Sequence, residues 1–153
     1  MILVARRTIL LSAAAMLLAP PAALAAPETI TVHKDPNCDC CTGWVAHLNA
    51  NGFTTKVVDT AAIEKVKARL GVPQDLGACH TGELAGYVLE GHVPAVAIKR
   101  LLAEKPKAIG LAVPGMPAGS PGMGGDPEAY DVVLFARDGA RRTFGRYKGD
   151  TGI

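Results

Sequence analysis

The sequence lacks an excess of charge of either sign. Its 153 residues include 16 lysine and arginine residues and 14 aspartate and glutamate residues, which gives a formal net charge of +2. Arg6 and Arg7 belong to the leader described below, and their removal leaves 14 residues of each sign. A neutral chain has no electrostatic basis for binding nucleic acid, and it presents no basic face to a membrane surface. The prediction therefore excludes nucleic acid and a stable membrane attachment.

Long apolar runs and the motifs of common enzymes are also missing. The main apolar stretch, TILLSAAAMLLAP, is shorter than the roughly 20 residues that a membrane-spanning helix needs. We find no nucleophile elbow, phosphate-binding Walker loop or dinucleotide-binding glycine pattern, and no acid–base pair suited to hydrolysis. The sequence therefore predicts a binding protein rather than an enzyme, with redox activity at a metal site as the enzymatic option left open.

The N-terminus is predicted to be a secretory signal peptide. Arg6 and Arg7 precede the apolar stretch, which ends near small residues at positions 23–26. We predict that residues 1–25 are cleaved and that residues 26–153 form one metal-binding domain, because a chain of this length suits a single core. No cysteine stands at the cleavage site to carry a lipid anchor. The expected product is free in the periplasm.

The first half of the mature chain predicts an α/β fold. Residues 28–34 alternate like a strand, and an amphipathic helix runs from Cys40 to Asn51. A strand at residues 53–59 and a helix that stops at Gly71 follow. Because a cysteine motif lies between the first strand and the first helix, we predict a thioredoxin-like mixed sheet flanked by helices.

The second half is less regular. We expect a loop around Cys79, a buried strand at residues 87–89 and a helix with Pro94 as its first residue. The Gly/Pro-rich stretch of residues 109–126 is predicted to be an irregular loop, and loops of this length are usually functional or disordered. Asp138-Gly139 marks a turn between the last two strands.

Three of the four cysteines lie within four positions, in the stretch PNCDCCTGW. Cys38, Cys40 and Cys41 follow a strand and begin a helix, where free backbone N–H groups and the helix dipole favour thiolates. The C-x-x-C spacing of Cys38 and Cys41 is typical of thiol–disulfide oxidoreductases, but Cys40 would compete in any exchange. A purely structural disulfide is disfavoured because adjacent cysteines make poor cross-links.

A metal site accommodates the cysteines better, with Cys79 as the fourth sulfur from a separate loop. Single zinc sites favour paired C-x-x-C knuckles, whereas crowded thiolates can bridge several ions, and sulfur-rich ligand sets select Cu(I) among other soft ions. Met116 and Met123 in the Gly/Pro-rich stretch, and His80 beside Cys79, are candidate auxiliary ligands. We therefore predict a copper site with more than one Cu(I) ion per chain.

The remaining histidines near strand ends, His33 and His92, are predicted to be hydrogen-bonded framework residues rather than ligands. Two alternatives to copper binding stay open at this point. One is a thiol–disulfide oxidoreductase that uses Cys38 and Cys41, and the other is a structural zinc-binding domain. Absorbance distinguishes copper binding from zinc binding, because Cu(I)-thiolate binding adds near-ultraviolet charge-transfer intensity and zinc does not.

Four motifs in order resemble the CopG-like family of bacterial periplasmic metal-binding proteins, which is associated with copper resistance. They are CDCC followed by TGWVAHL, then GVPQDLGACHT, then GYVLEGHVPAVAIKRLL, and finally GLAVPGMPAGSPGM. The likeness extends over residues 31–147. It departs at Ala78, where a serine is expected, and at the Gly-Gly-Asp after the last methionine, but neither change removes a sulfur.

The resemblance implies a thioredoxin-like fold and a thiolate-bridged copper cluster. Its ligands would be Cys38, Cys40, Cys41 and Cys79. The role it implies is copper handling by sequestration, delivery or redox chemistry, with copper ions and other periplasmic copper-handling proteins as partners.

Overall fold

The computed structural model of the chain describes residues 28–153, so the predicted signal peptide lies outside the described residues. Within residues 28–153, no helix combines the length and the apolar character that crossing a bilayer requires. The described strands are β1 (Thr29–Lys34), β2 (Thr54–Asp59), β3 (His80–Leu84), β4 (Tyr87–Gly91), β5 (Gly110–Val113), β6 (Ala129–Phe135), β7 (Arg141–Lys148) and β8 (Thr151–Gly152). The described α-helices are α1 (Asp39–Ala50), α2 (Ile63–Leu70) and α3 (Ala95–Glu104).

The strands form one mixed sheet in the order β2-β1-β3-β4-β5-β6-β7-β8. The pairs β1/β2 and β4/β5 are parallel, and the other neighbouring pairs are antiparallel. Each parallel pair is connected through a helix, α1 in the first case and α3 in the second, as parallel strands require. The predicted α/β class with a mixed sheet is confirmed, and the thioredoxin-like arrangement stays a prediction.

Helices pack on both faces of the sheet. Trp44 of α1 and Ile98 of α3 belong to one buried cluster with Leu89 of β4. Val88, the neighbour of Leu89, belongs to a second cluster, which the half-buried Leu70 at the end of α2 also contacts. Because successive strand side chains point to opposite faces, these two clusters lie on opposite sides of the sheet. Helices α1 and α3 therefore pack on one face of the sheet, and α2 packs on the other.

Three local predictions in the second half differ from the structure. The stretch of residues 109–126 contains β5, so it is not irregular throughout. Cys79 lies in the irregular stretch of residues 77–79, as predicted, but the loop ends there because β3 begins at His80. Pro94 caps α3 rather than being its first residue. Both missed strands are short and buried, so they show no alternation of apolar and polar residues that would identify them.

Candidate metal centre

The first cysteine caps the helix that carries the other two. Cys38 has extended backbone angles, and its Sγ accepts a hydrogen bond from the backbone N–H of Cys41 at 3.3 Å. Upstream, the carboxylate of Asp35 accepts from the backbone N–H of Asn37, which forms the turn between β1 and α1. A sulfur therefore takes the place of the oxygen that usually caps a helix N-terminus, and the trio lies at the positive end of the helix dipole.

The structure brings all four predicted cysteines together. Their Sγ atoms lie within 4.8 Å of one another. Cys40 is 3.5 Å from Cys38 and 3.6 Å from Cys79, and Cys41 is 3.4 Å from Cys79. Cys41 is fully buried, whereas the other three are partly exposed. Sulfur atoms at this spacing can share one or more soft metal ions once they are thiolates.

Two of these sulfurs are oxidised in the structure. Cys38 and Cys41 are joined by a disulfide, while Cys40 and Cys79 are free thiols. Burial, with a smaller contribution from the neighbouring Cys40, raises the pKa of Cys79 to about 11. Cys79 is therefore a protonated thiol near neutral pH, and a bound metal ion must displace that proton before the sulfur becomes a ligand.

We expect the Cys79 thiol to react slowly with iodoacetamide. Only the thiolate reacts, and burial, the largest cause of the raised pKa, remains in a Cys40→Ser chain, so the rate in that chain should rise about tenfold per pH unit from pH 7 to 9. Mass spectrometry of the alkylated chain measures this rate, and a Cys79→Ser chain reports Cys40 under the same conditions. A rate for Cys79 that is already maximal at pH 9 would contradict the raised pKa.

His80 is positioned to present a lone pair to the sulfurs. Its Nε2 donates to the backbone carbonyl of Gly91 at 2.9 Å, so in a neutral ring Nδ1 carries no hydrogen. This Nδ1 lies 3.3 Å from the Sγ of Cys41 and 3.6 Å from the Sγ of Cys79. Burial, and to a smaller extent the proximity of His92, lowers the pKa of His80 to about 3. The imidazole is therefore neutral at physiological pH, as a ligand must be.

The loop of residues 114–128, here called the methionine loop, is packed against α1 through glycine. Gly122 has a φ of +92°, and a Cβ there would lie 2.5 Å from the backbone N of Trp44 and 2.7 Å from the carbonyl O of Cys40. Met123 follows directly and is half-buried, whereas Met116 is 43% exposed. The loop therefore places Gly122, the residue before Met123, against the cysteine-bearing first turn of α1.

A buried ion pair supports the segment that carries Cys79. Glu90 of β4 is fully buried, and its carboxylate accepts hydrogen bonds from Lys67 and Thr81 and, at 2.6 Å, from the backbone N–H of Ala78. Lys67 also donates to Thr81 at 2.9 Å. Burial raises the pKa of Glu90, and Lys67 opposes that shift. The network fixes the residue immediately before Cys79 from the α2 side of the sheet.

Sequence reasoning missed this ion pair, and it was right about only one of the two framework histidines. His33 interacts with Glu83 at 2.8 Å, which confirms its predicted role. The prediction for His92 is wrong, because its buried ring nitrogens have no hydrogen-bond partner among residues 28–153. An acidic residue inside the apolar strand-like run YVLEG was the available signal for Glu90. No comparable signal pointed to Lys67.

Comparison with known proteins identifies relatives of the chain. A family model described as "Protein of unknown function, DUF411" matches residues 76–123, and no curated protein matches. Two solved structures, described as "Copper resistance protein copG", Form 1 and Form 2, are each 48% identical to the chain. Each match covers 79% of this chain and 98% of the solved one, with TM-scores of 0.74 and 0.75. With this identity over nearly the whole of its relatives, the chain belongs to the CopG family of copper resistance proteins.

Proposed function

We propose that the chain is an exported, periplasmic copper-binding protein that holds Cu(I) on Cys38, Cys40, Cys41 and Cys79. The convergence of the four Sγ atoms within 4.8 Å, from two separate segments, carries this proposal. Sulfur-rich ligand sets favour Cu(I), and the relatives named as copper resistance proteins support copper over other soft ions. The predicted single thioredoxin-like domain of residues 26–153 is part of the same proposal.

Copper loading requires the reduced chain. A dithiol reductant supplies the two electrons and two protons that convert the Cys38–Cys41 disulfide into two thiols, and it is itself oxidised to a disulfide. Binding then releases the thiol protons, because the thiolate is the ligand. Four Cu(I) ions and four thiolates sum to zero charge, which favours a cluster of several ions over a single ion with excess negative charge in a partly buried site.

Two neighbouring side chains complete the proposed ligand set. His80 directs Nδ1 at the sulfurs of Cys41 and Cys79, and Met123 lies on the loop that contacts the first turn of α1. Met116 lies six residues before Gly122 and is 43% exposed, so it is less enclosed than the half-buried Met123. We therefore assign Met123 and His80 as auxiliary ligands ahead of Met116.

The test is a Cu(I) titration of the reduced chain against a competing chelator, without oxygen. We expect more than one Cu(I) ion per chain, with charge-transfer absorbance in the near ultraviolet. A Cys79→Ser chain should lose at least about tenfold in affinity or lose bound ions, since one of four soft ligands is gone. Wild-type binding by the Cys79→Ser chain would remove Cys79 from the site, and binding of a single zinc in preference to copper would favour the structural zinc alternative.

A second function is favoured by one observation, the Cys38–Cys41 disulfide with free thiols beside it. This is the arrangement of a thiol–disulfide oxidoreductase. The free thiol of Cys40, 3.5 Å from the sulfur of Cys38, weakens this interpretation, because it would compete with Cys41 in any exchange. Disulfide reductase turnover by the metal-free chain, together with failure to compete for Cu(I), would establish this function instead.

A further inference from the structure

His92 is an unusual buried side chain. It follows β4, has no exposed surface, and neither Nδ1 nor Nε2 has a hydrogen-bond partner among residues 28–153. Burial lowers the pKa of His92, and the nearby carbonyl of Pro121 in the methionine loop opposes that shift, but the carbonyl does not have the geometry of a hydrogen bond to either ring nitrogen. A buried imidazole that pairs with nothing is destabilising, and such groups in native structures usually mark a site with a missing partner.

The orphaned imidazole lies beside two potential ligands. One nitrogen of His92, one nitrogen of His80 and the Sγ of Cys79 lie within 4.8 Å of one another. The rings of His80 and His92 have centroids 5.1 Å apart. Three donor atoms at this spacing can surround one transition-metal ion with a small inward movement, because metal–nitrogen and metal–sulfur bonds are about 2.0–2.3 Å long.

Gly91 allows this close approach. Its φ is +70°, and a Cβ at this position would lie 2.8 Å from the carbonyl O of Val113 and 3.0 Å from the Cβ of Ala78. The glycine therefore lets the end of β4 pack against the segment that precedes Cys79. The same residue accepts the hydrogen bond from Nε2 of His80, which leaves Nδ1 of that ring free to bind a metal.

We propose that Cys79, His80 and His92 form a second metal site, which binds one divalent transition-metal ion next to the four-cysteine set. Two imidazole nitrogens and one thiolate suit a borderline ion such as Zn²⁺ or Co²⁺, whereas the all-sulfur set suits Cu(I). Cys79 bridges the two sites because it belongs to both groups of donors. The site rests on the proposed function only in sharing Cys79 and His80. The thiolate of Cys79 can bridge both sites, whereas Nδ1 of His80 has a single lone pair and serves the copper set only when the second site is empty.

The experiment isolates the second site by removing the trio. A Cys38→Ser/Cys40→Ser/Cys41→Ser chain keeps Cys79, His80 and His92, and it is titrated with Co²⁺ without oxygen. We expect one Co²⁺ per chain, with ligand-field bands of a tetrahedral ion and a sulfur-to-cobalt charge-transfer band. Adding His92→Leu should lower the Co²⁺ affinity at least about tenfold, since loss of a ligand exceeds the usual effect of an outer-shell change.

Controls separate ligation from a structural role. His33→Gln changes a histidine that bonds Glu83 outside the site, and Co²⁺ affinity should stay at its starting value. In the metal-free chain His92→Leu should not lower the free energy of unfolding, because it removes an unpaired polar group. If the imidazole had a structural role, the same substitution would lower that free energy. A folded triple-serine chain without bound Co²⁺, or Co²⁺ binding unaffected by His92→Leu, would overturn the proposal.

Two further measurements test the second site if the triple-serine chain does not fold and show whether His92 belongs to the copper set. If the triple-serine chain does not fold, Co²⁺ binding by the reduced four-cysteine chain is compared with and without His92→Leu, and equal binding overturns the second site. The Cu(I) count of the His92→Leu chain should equal that of the unchanged protein, and a lower count would place His92 in the copper set instead. Failure of the unchanged chain to bind Cu(I) would refute the proposed function, while the Co²⁺ result would stand separately.

Discussion

Lys67→Met should lower the free energy of unfolding by about 3–5 kcal/mol at neutral pH. Lys67 is the cationic partner of Glu90, whose carboxylate is fully buried, and its removal leaves that charge unpaired in the core. Urea unfolding followed by the fluorescence of Trp44, the single tryptophan, measures the change. A loss of no more than about 1 kcal/mol would show that water or another group solvates Glu90.

The pH dependence of this variant has a defined sign. Burial already raises the folded pKa of Glu90, and loss of Lys67 removes a group that opposes the shift. A carboxyl with a raised folded pKa binds more protons when folded, so stability falls as pH rises through that pKa. The difference between Lys67→Met and the unchanged chain should therefore be largest at neutral pH and shrink towards the ordinary pKa of about 4.3.

A double variant distinguishes the effect of the charge of Lys67 from the effect of its packing. Lys67→Met/Glu90→Gln removes both charges but keeps an amide oxygen that can accept from the backbone N–H of Ala78. It should recover most of the lost stability, because breaking a buried pair is worse than replacing both partners. No recovery would indicate that packing of the lysine side chain, rather than its charge, supports the segment before Cys79.

Gly122→Ala should displace the methionine loop and destabilise the chain by about 2–5 kcal/mol, the sum of left-handed backbone strain and overpacking. The added Cβ would meet backbone atoms of Trp44 and Cys40, which cannot rotate away. Cu(I) affinity should fall as well, since Met123 moves with the loop. Urea unfolding and the Cu(I) titration measure the two effects.

Gly115→Ala is the matched control for this change. Gly115 lies in the same loop with a φ of +80°, but nothing lies within 4 Å of an added Cβ. Its substitution therefore carries the backbone strain alone, of about 1–2 kcal/mol. The difference between the two variants measures the contact between the loop and α1, and equal effects would show that the contact contributes nothing.

The parts of the fold that sequence could predict are those with local signals. Alternation predicted β1, and helical spacing with a closing glycine at position 52 predicted α1 to within a residue. β3 and β5 escaped because each is a short buried strand whose identity comes from its neighbours in the sheet. Pairing with a strand 22 or more residues away along the chain leaves no periodic trace in a four- or five-residue segment.

In the functional site, too, the sequence could predict the residues with local signals but not those defined by their neighbours in the fold. Residue type and spacing selected the cysteine trio and Cys79 as candidates, because thiols have few competing roles in this pattern. The buried Lys67–Glu90 pair joins α2 to β4, and His92 becomes notable only because its nitrogens lack partners in the fold. Such properties arise from juxtaposition, so no motif in the chain could reveal them.

The ladder between β1 and β3 limits how this centre could be transplanted into another protein. Its last pair is Lys34 with His80, so β1 leads into the cysteine trio at the same sheet end where Cys79 enters β3. A slip of one residue would turn His80 to the opposite face of the sheet. A grafted peptide of residues 36–44 would carry three sulfurs and no imidazole. A designer would have to transfer both strands in register, with the turn and the glycine at position 91 that let the two segments meet.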